Sequence, residues 1–188
     1  MPRPDLPAAR DQGDVRLARV GPADLGAFKS LRDEGLRLHP EAFDADIETE
    51  QSRPPESYIG RLGLHDPLGG TFLIGAWVNG EMVGMVGMER NSLPKLRHSA
   101  ELNSMMVRPS HGHRGIGRRL VEECIAQARL ATGLELITLR VSTSNQAVVR
   151  LYERAGFRHC GVVPRAVRLI DGSGRPVYID RLTMTMLL

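Results

Sequence analysis

Apolar and polar positions alternate through Val15-Arg16-Leu17-Ala18-Arg19-Val20, the period of a half-buried strand. Gly21-Pro22-Ala23-Asp24 then opens a helix, with proline near the first turn. Leu25, Phe28, Leu31, Leu36 and Leu38 carry near-helical spacing to His39-Pro40. Residues 42–53 are acidic and poorly periodic. Pro54-Pro55-Glu56-Ser57 predicts the cap of a short helix through Tyr58, Ile59 and Leu62, and 63–70 reads as a loop. Phe72 to Val78 and Met82 to Met88 are apolar runs around Asn79-Gly80, a strong short-range hairpin signal. After a connection over 91–98, Ala100 to Val107 predicts a strand. Gly115 to Thr132 predicts a helix with Leu120, Val121, Cys124, Ile125 and Ala128 on one face, stopped by Gly133. Leu136 to Val141 predicts a strand, Asn145 to Ala155 a helix stopped by Gly156. Phe157 to Leu169 and Val177 to Leu187 bracket the turn residues Asp171-Gly172-Ser173-Gly174.

The predicted order is β α α β β β α β α β β. A strand–helix–strand crossover from Glu101 to Val141 makes part of the sheet parallel, and the hairpins make the rest antiparallel. The fold class is therefore α/β with a mixed (α+β-like) sheet. The chain has 188 residues, enough for one domain with a substantial core. Residues 1–14, rich in proline and charge, read as a flexible arm, and 15–188 as a single domain.

Composition narrows the function. Hydrophobic residues make up 41% and charged residues 25%, ordinary for a soluble globular protein. No apolar run approaches the ~18 residues of a membrane span, and the N-terminus lacks the apolar core of a secretory signal. A cytoplasmic protein is expected. Cys124 and Cys160 have no metal-ligand spacing and read as core or near-core thiols. The net charge of +3 is spread along the chain without interleaved aromatics, so nucleic acid is a weak partner.

The chemistry concentrates in Val107-Arg108-Pro109-Ser110-His111-Gly112-His113-Arg114-Gly115-Ile116-Gly117-Arg118-Arg119. A strand ends, a glycine-rich turn follows, and a helix begins. Amides bunched at the positive end of a helix seat phosphate. A Walker loop is excluded by the lack of Gly-Lys-Ser/Thr, and a dinucleotide fingerprint is disfavoured by Leu120 at its third glycine. A second signature is Asn145-Gln146-Ala147-Val148-Val149-Arg150-Leu151-Tyr152-Glu153-Arg154-Ala155-Gly156-Phe157.

With these two segments the chain resembles the GNAT superfamily of acetyl-CoA-dependent N-acetyltransferases over nearly everything after Asp14. The resemblance implies a GNAT fold whose central sheet splays between the fourth and fifth strands. It implies acetyl-CoA as cosubstrate, no metal, and direct ternary-complex transfer to a primary amine, either a small molecule or a protein N-terminus or lysine. Dimers are common in the superfamily, so a homodimer is a possible assembly. The family's phosphate pattern, Gln or Arg, two residues, Gly, any residue, Gly or Ala, falls on Gly112, Gly115 and Gly117. The first position thus departs from the pattern, and Arg114, Arg118 or His113 are candidates to compensate. By the same resemblance, Gly112, His113, Arg114, Gly115, Ile116, Gly117 and Arg118 would hold the pyrophosphate. The backbone of Met105, Met106 and Val107 would meet the pantetheine arm and thioester carbonyl, and Asn145 would meet the arm. Asn145 is equally a good N-cap.

Tyr152 is implied as the general acid that protonates the departing thiolate, with a packing role as its plain alternative. Glu101 aligns with the glutamate base that histone acetyltransferases of the superfamily carry on this strand. Alternation predicts Glu101, Asn103, Met105 and Val107 on one side. Glu34 is a lower-ranked substitute base. The acidic run from Glu41 to Glu50 reads most simply as a solvated face, and would attract a cationic amine if it borders the entrance. A non-catalytic acyl-CoA-binding or sensor module is the main alternative function.

Overall fold

In the computed structural model, residues 14–188 are described; the arm expected over 1–14 lies almost wholly outside them. Seven strands form one sheet in the order β1-β2-β3-β4-β5-β7-β6. These are β1 (Arg16–Arg19), β2 (Phe72–Val78), β3 (Glu81–Arg90), β4 (Ser99–Val107), β5 (Leu136–Ser142), β6 (Arg158–Ile170) and β7 (Pro176–Leu187). Only β4 and β5 pair in parallel; every other neighbour is antiparallel. The mixed sheet matches the expected fold class.

Helices cover both faces. α1 (Leu25–Leu38) packs on one side with Phe28 and Leu31 fully buried against Leu73, Met85 and Met106. α3 (Ile116–Ala128) and α4 (Gln146–Ala155) pack on the other, where Leu120, Val121, Cys124, Val149 and Tyr152 join Val86, Leu102 and Ile137. β2 is buried at every position because it lies between the two layers, which explains its continuous apolar run in place of alternation.

Several expectations change. The stretch predicted to lack periodicity contains a one-turn helix, α2 (Ile47–Glu50), capped by Asp46, whose carboxylate accepts from the Thr49 amide at 2.7 Å. The predicted second helix is a 3-10 segment, Pro55–Leu62, ended by Gly63 at φ +63°. Helix α3 stops at Ala128, short of Thr132, as the chain turns toward Gly133. Cys124 is buried as expected, and burial pushes its thiol up to about 12. Cys160 is exposed and not a core thiol, because β6 is an edge strand whose residues are largely uncovered.

The alternation expected along β4 also fails. Gly87 stands opposite Asn103 and Met85 opposite Met106, so Val86 faces two residues, Ser104 and Met105. Ser104 takes φ +53°, an uncommon conformation for a residue with a Cβ. This bulge reverses the facing of the strand. Met105 and Val107 pack toward α3, while Asn103 meets Arg61 on the other side and Met106 is buried beneath α1.

Candidate active site

β4 and β5 touch only briefly. Their register covers Ser99–Glu101 against Leu136–Thr138, and beyond it the strands part. The gap opens into a cavity of about 480 Å³. Glu101, Asn103, Ser104 and Met105 of β4, Val141 and Ser142 of β5, Asn145 just before α4 and Tyr152 within it line it. Arg32, Glu50, Tyr58 and Arg61 form the opposite wall.

The glycine-rich turn follows β4. A 3-10 turn over Pro109–His111 leads to His113 at φ +59° and Gly115 at φ +73°. The first intrahelical bond of α3 runs from the Arg119 amide to the Gly115 carbonyl at 3.1 Å. The amides of Ile116, Gly117 and Arg118 therefore have no intrahelical acceptor and point out of the positive helix end. A Cβ on Gly117 would stand 3.1 Å from Met105 Cε, so this glycine sets the close approach of α3 to β4. Gly112 has extended backbone (φ −60°, ψ 164°), which any residue adopts. Ile116 contributes its side chain to the core. Arg118 is exposed and 3.6 Å from Glu122. Residues 112–118 do not line the cavity; they stand at the far end of the strand that does.

Tyr152 is buried, with its ring edge-on to Phe157 at 5.7 Å, and borders the cavity. Burial first, and the neighbouring Cys124 thiol second, hold its phenol well above the usual tyrosine range. The side chain is thus kept protonated, the form a proton donor needs. Asn145 performs the capping role, accepting from the Val148 amide at 3.3 Å, and also reaches the cavity wall. Glu101 is half-exposed and accepts from Arg140 Nη2 at 3.0 Å and Nε at 3.1 Å. Glu34 is away from the cavity and engaged by Arg108 at 2.8–3.1 Å, which removes it as a substitute base.

The wall opposite the splay was not foreseen. Glu50 is buried and accepts from Tyr58 Oη at 2.5 Å, Arg32 Nε at 2.8 Å and Arg53 Nη1 at 3.1 Å. Burial alone would raise this carboxyl, but the bonds from Tyr58 and Arg32, and the Arg32 charge, outweigh it and leave it below its ordinary value. Such a lowered carboxyl stabilises the fold above its unfolded value, near 4.5, and that stabilisation is lost as pH falls through the lower folded value. Urea melts of Glu50→Gln are accordingly expected to show a weaker fall in stability below about pH 4.5 than the native chain. Equal acid slopes would contradict this. The acidic residues at 41–50 gave some sign of the network, but its arginines are scattered at 32, 53 and 61 and share no period.

Among the described residues no cluster of three His, Cys, Asp or Glu could hold a metal ion, and no helix is long and apolar enough to cross a membrane. His111 bonds Ser110 Oγ through Nδ1 at 3.0 Å.

A cleft between parting parallel strands, a glycine-rich helix entry after one of them and a tyrosine on the wall form the arrangement that the resemblance to acyltransferases implied. The chain belongs to the acetyltransferase (GNAT) family, whose pattern it matches over residues 32–157. It is similar to a mycothiol acetyltransferase of Salinispora tropica, 29% identical over 157 residues, which cover 84% of this chain and 47% of the relative. The chain spans about half the length of this relative and of a further curated one that it matches. Its fold is similar to that of a GNAT acetyltransferase from Streptococcus pneumoniae (TM-score 0.79, 23% identity, 93% of this chain and 100% of that one). It is also similar to a protein from Salmonella typhimurium whose structure holds its cofactor acetyl-CoA (TM-score 0.76, 21% identity, 93% and 94% covered).

Proposed function

We propose that the chain is an N-acetyltransferase that moves an acetyl group from acetyl-CoA to a primary amine by direct transfer. The observation that carries this reading is the parting of β4 from β5 beyond Glu101 and Thr138, with Tyr152 on the wall of the opening. An unpaired strand edge supplies backbone groups for the amides of a pantetheine arm. The amides at the start of α3 supply donors for the pyrophosphate, and Gly112 adds no side chain to that grip.

In this reading the amine nitrogen attacks the thioester carbonyl, the C–N bond forms and the C–S bond breaks. A backbone N–H of the Met105–Val107 segment stabilises the oxyanion, an effect worth roughly 3–4 kcal/mol in other acyl transfers. Tyr152 gives its proton to the departing sulfur. Before the attack Glu101 takes a proton from the acceptor's ammonium through water, while Arg140 holds its carboxylate in place; the second proton, lost from nitrogen as the amide forms, restores the Tyr152 phenol.

Calorimetry with acetyl-CoA, followed by thiol release across an amine panel, tests the proposal. Saturable heat at micromolar to millimolar ligand and thiol release with at least one amine are expected. No heat would overturn the acyl-CoA reading, and binding with no acetylation of any amine would identify a non-catalytic binder instead.

A further inference from the structure

The cavity wall carries Arg61, a guanidinium with no carboxylate in contact, beside Arg32, which is paired with Glu50 through Nε and leaves Nη1 free of it. Arg61 Nη1 donates to Ser104 Oγ at 3.1 Å, and Arg32 Nη1 reaches the same oxygen at 3.4 Å. Two cations therefore converge on one neutral hydroxyl. Arg61 also bonds Asn103 Oδ1, again a neutral acceptor. No carboxylate lies within 4.0 Å of Arg61 among the described residues. Glu89 is exposed, bonds Asn103 Nδ2 at 3.4 Å and acts on Arg61 through its charge without touching it.

The seat is built for this group. The bulge that sets Ser104 at φ +53° turns its hydroxyl toward both arginines. Gly87 of β3 leaves the room, since a Cβ there would stand 3.0 Å from Arg61 Nη2 and 2.7 Å from Asn103 Oδ1. Phe28 lies under the guanidinium, its ring centroid 5.8 Å from Arg61 Cζ. Burial, with repulsion from Arg32 second, lowers the Arg61 group from its usual value, the condition an added anion relieves.

Three of the cavity's carboxylates are already taken by guanidiniums, while Glu41 stands 3.6 Å from His39 and Glu89 accepts from Asn103 Nδ2. Glu50 serves Arg32, Arg53 and Tyr58; Asp44 serves Arg140 and Arg181; Glu101 serves Arg140. A cationic acceptor would have to compete with these guanidiniums for the same oxygens. Within the acidic run, Asp44 and Glu50 are thus neutralised by guanidiniums of the chain itself.

Resting on the acetyl-transfer reading, we propose that Arg61 and Arg32 form an anion subsite, so that the acceptor is an amine that also bears a small oxyanion. A carboxylate or phosphonate would bridge the two guanidiniums beside Ser104, and Ser104 directly precedes Met105 at the cleft. The acceptor is then compact, with its amine a few bonds from the charged group.

Matched acceptors separate this subsite from the transfer reading. Amino acids and aminophosphonates are compared in the thiol-release assay with their uncharged carboxamide and diester counterparts. The charged members are expected to show kcat/KM about ten- to a hundredfold higher, the worth of one or two bonds to a charged group. Arg61→Gln is expected to raise KM for the charged acceptor by a similar factor and so to bring the ratio of charged to uncharged acceptors toward one, with Arg61→Lys partly restoring that ratio. Uncharged acceptors used as well as charged ones, with normal acetyl-CoA binding, would overturn the subsite and spare the transfer reading. If acetyl-CoA produced no heat, the transfer reading would fall, and the subsite would be read alone from thermal stabilisation by the same charged amines. Absence of both turnover and stabilisation with every charged member overturns it. The wild-type ratio of charged to uncharged acceptors decides the matter even if Arg61→Gln does not fold.

Discussion

Tyr152→Phe is expected to lower kcat by about 10²–10⁴-fold while the affinity for acetyl-CoA changes by less than about threefold. The substitution removes one hydroxyl and leaves the ring that packs edge-on to Phe157. It therefore deletes a proton donor without opening the core around Val149 and Phe157. The thiolate would then leave without a partner, or with water as a weaker one. A loss confined to turnover marks an interaction made in the transition state; a rise in KM for acetyl-CoA with kcat intact would mark a binding role only. Because burial keeps the phenol protonated to above its ordinary range near 10, the native rate is not expected to fall with this group between pH 7 and 9. Steady-state kinetics across that interval, with calorimetry on the variant, check both points. Unchanged turnover at every pH would remove the acid assignment.

The sheet and its coverings were legible because their signals are local. Asn79-Gly80 between two apolar runs predicted the β2–β3 hairpin, and the spacing from Leu120 to Ala128 marked the buried face of α3. The parallel pairing of β4 with β5 followed from the crossover through α3. What escaped was non-local or depended on a single backbone torsion. The φ +53° of Ser104 leaves no trace in composition, yet it sends Met105 and Glu101 to different sides of β4. The arginines of the second wall come from α1, the loop after α2 and the 3-10 segment, and meet only because α1 and that segment pack on one face of the sheet. Glu101 could be placed on β4 from sequence, but its partner Arg140 lies across the sheet on β5, a pairing that no spacing announces.

The same separation of faces makes a large effect on stability informative about the site. Phe28→Ala is expected to destabilise the fold by about 3–5 kcal/mol, through lost burial and the cavity left behind. Phe28 is fully buried in the α1-side core, so its truncation leaves unfilled space among Leu31, Leu73 and Met85. For a chain of this size that loss corresponds to a fall in melting temperature of roughly 6–20 °C. The ring also supports the wall of the cleft: it meets Tyr58 edge-on at 5.4 Å and lies beneath Arg61. Its removal should loosen the anchors of Arg61 and of the Glu50 network, and so raise KM for the acceptor. Acetyl-CoA affinity should hold, since the start of α3 packs on the opposite face of the sheet. Leu120→Ala, in that opposite core, supplies the control. The two cores share the sheet but Phe28 and Leu120 belong to different clusters, so their costs in urea unfolding are expected to add to within about 0.5 kcal/mol. A strongly non-additive double variant, or a Phe28→Ala cost below about 1 kcal/mol, would show that the sheet transmits repacking between its faces and that the acceptor wall is not anchored by this ring.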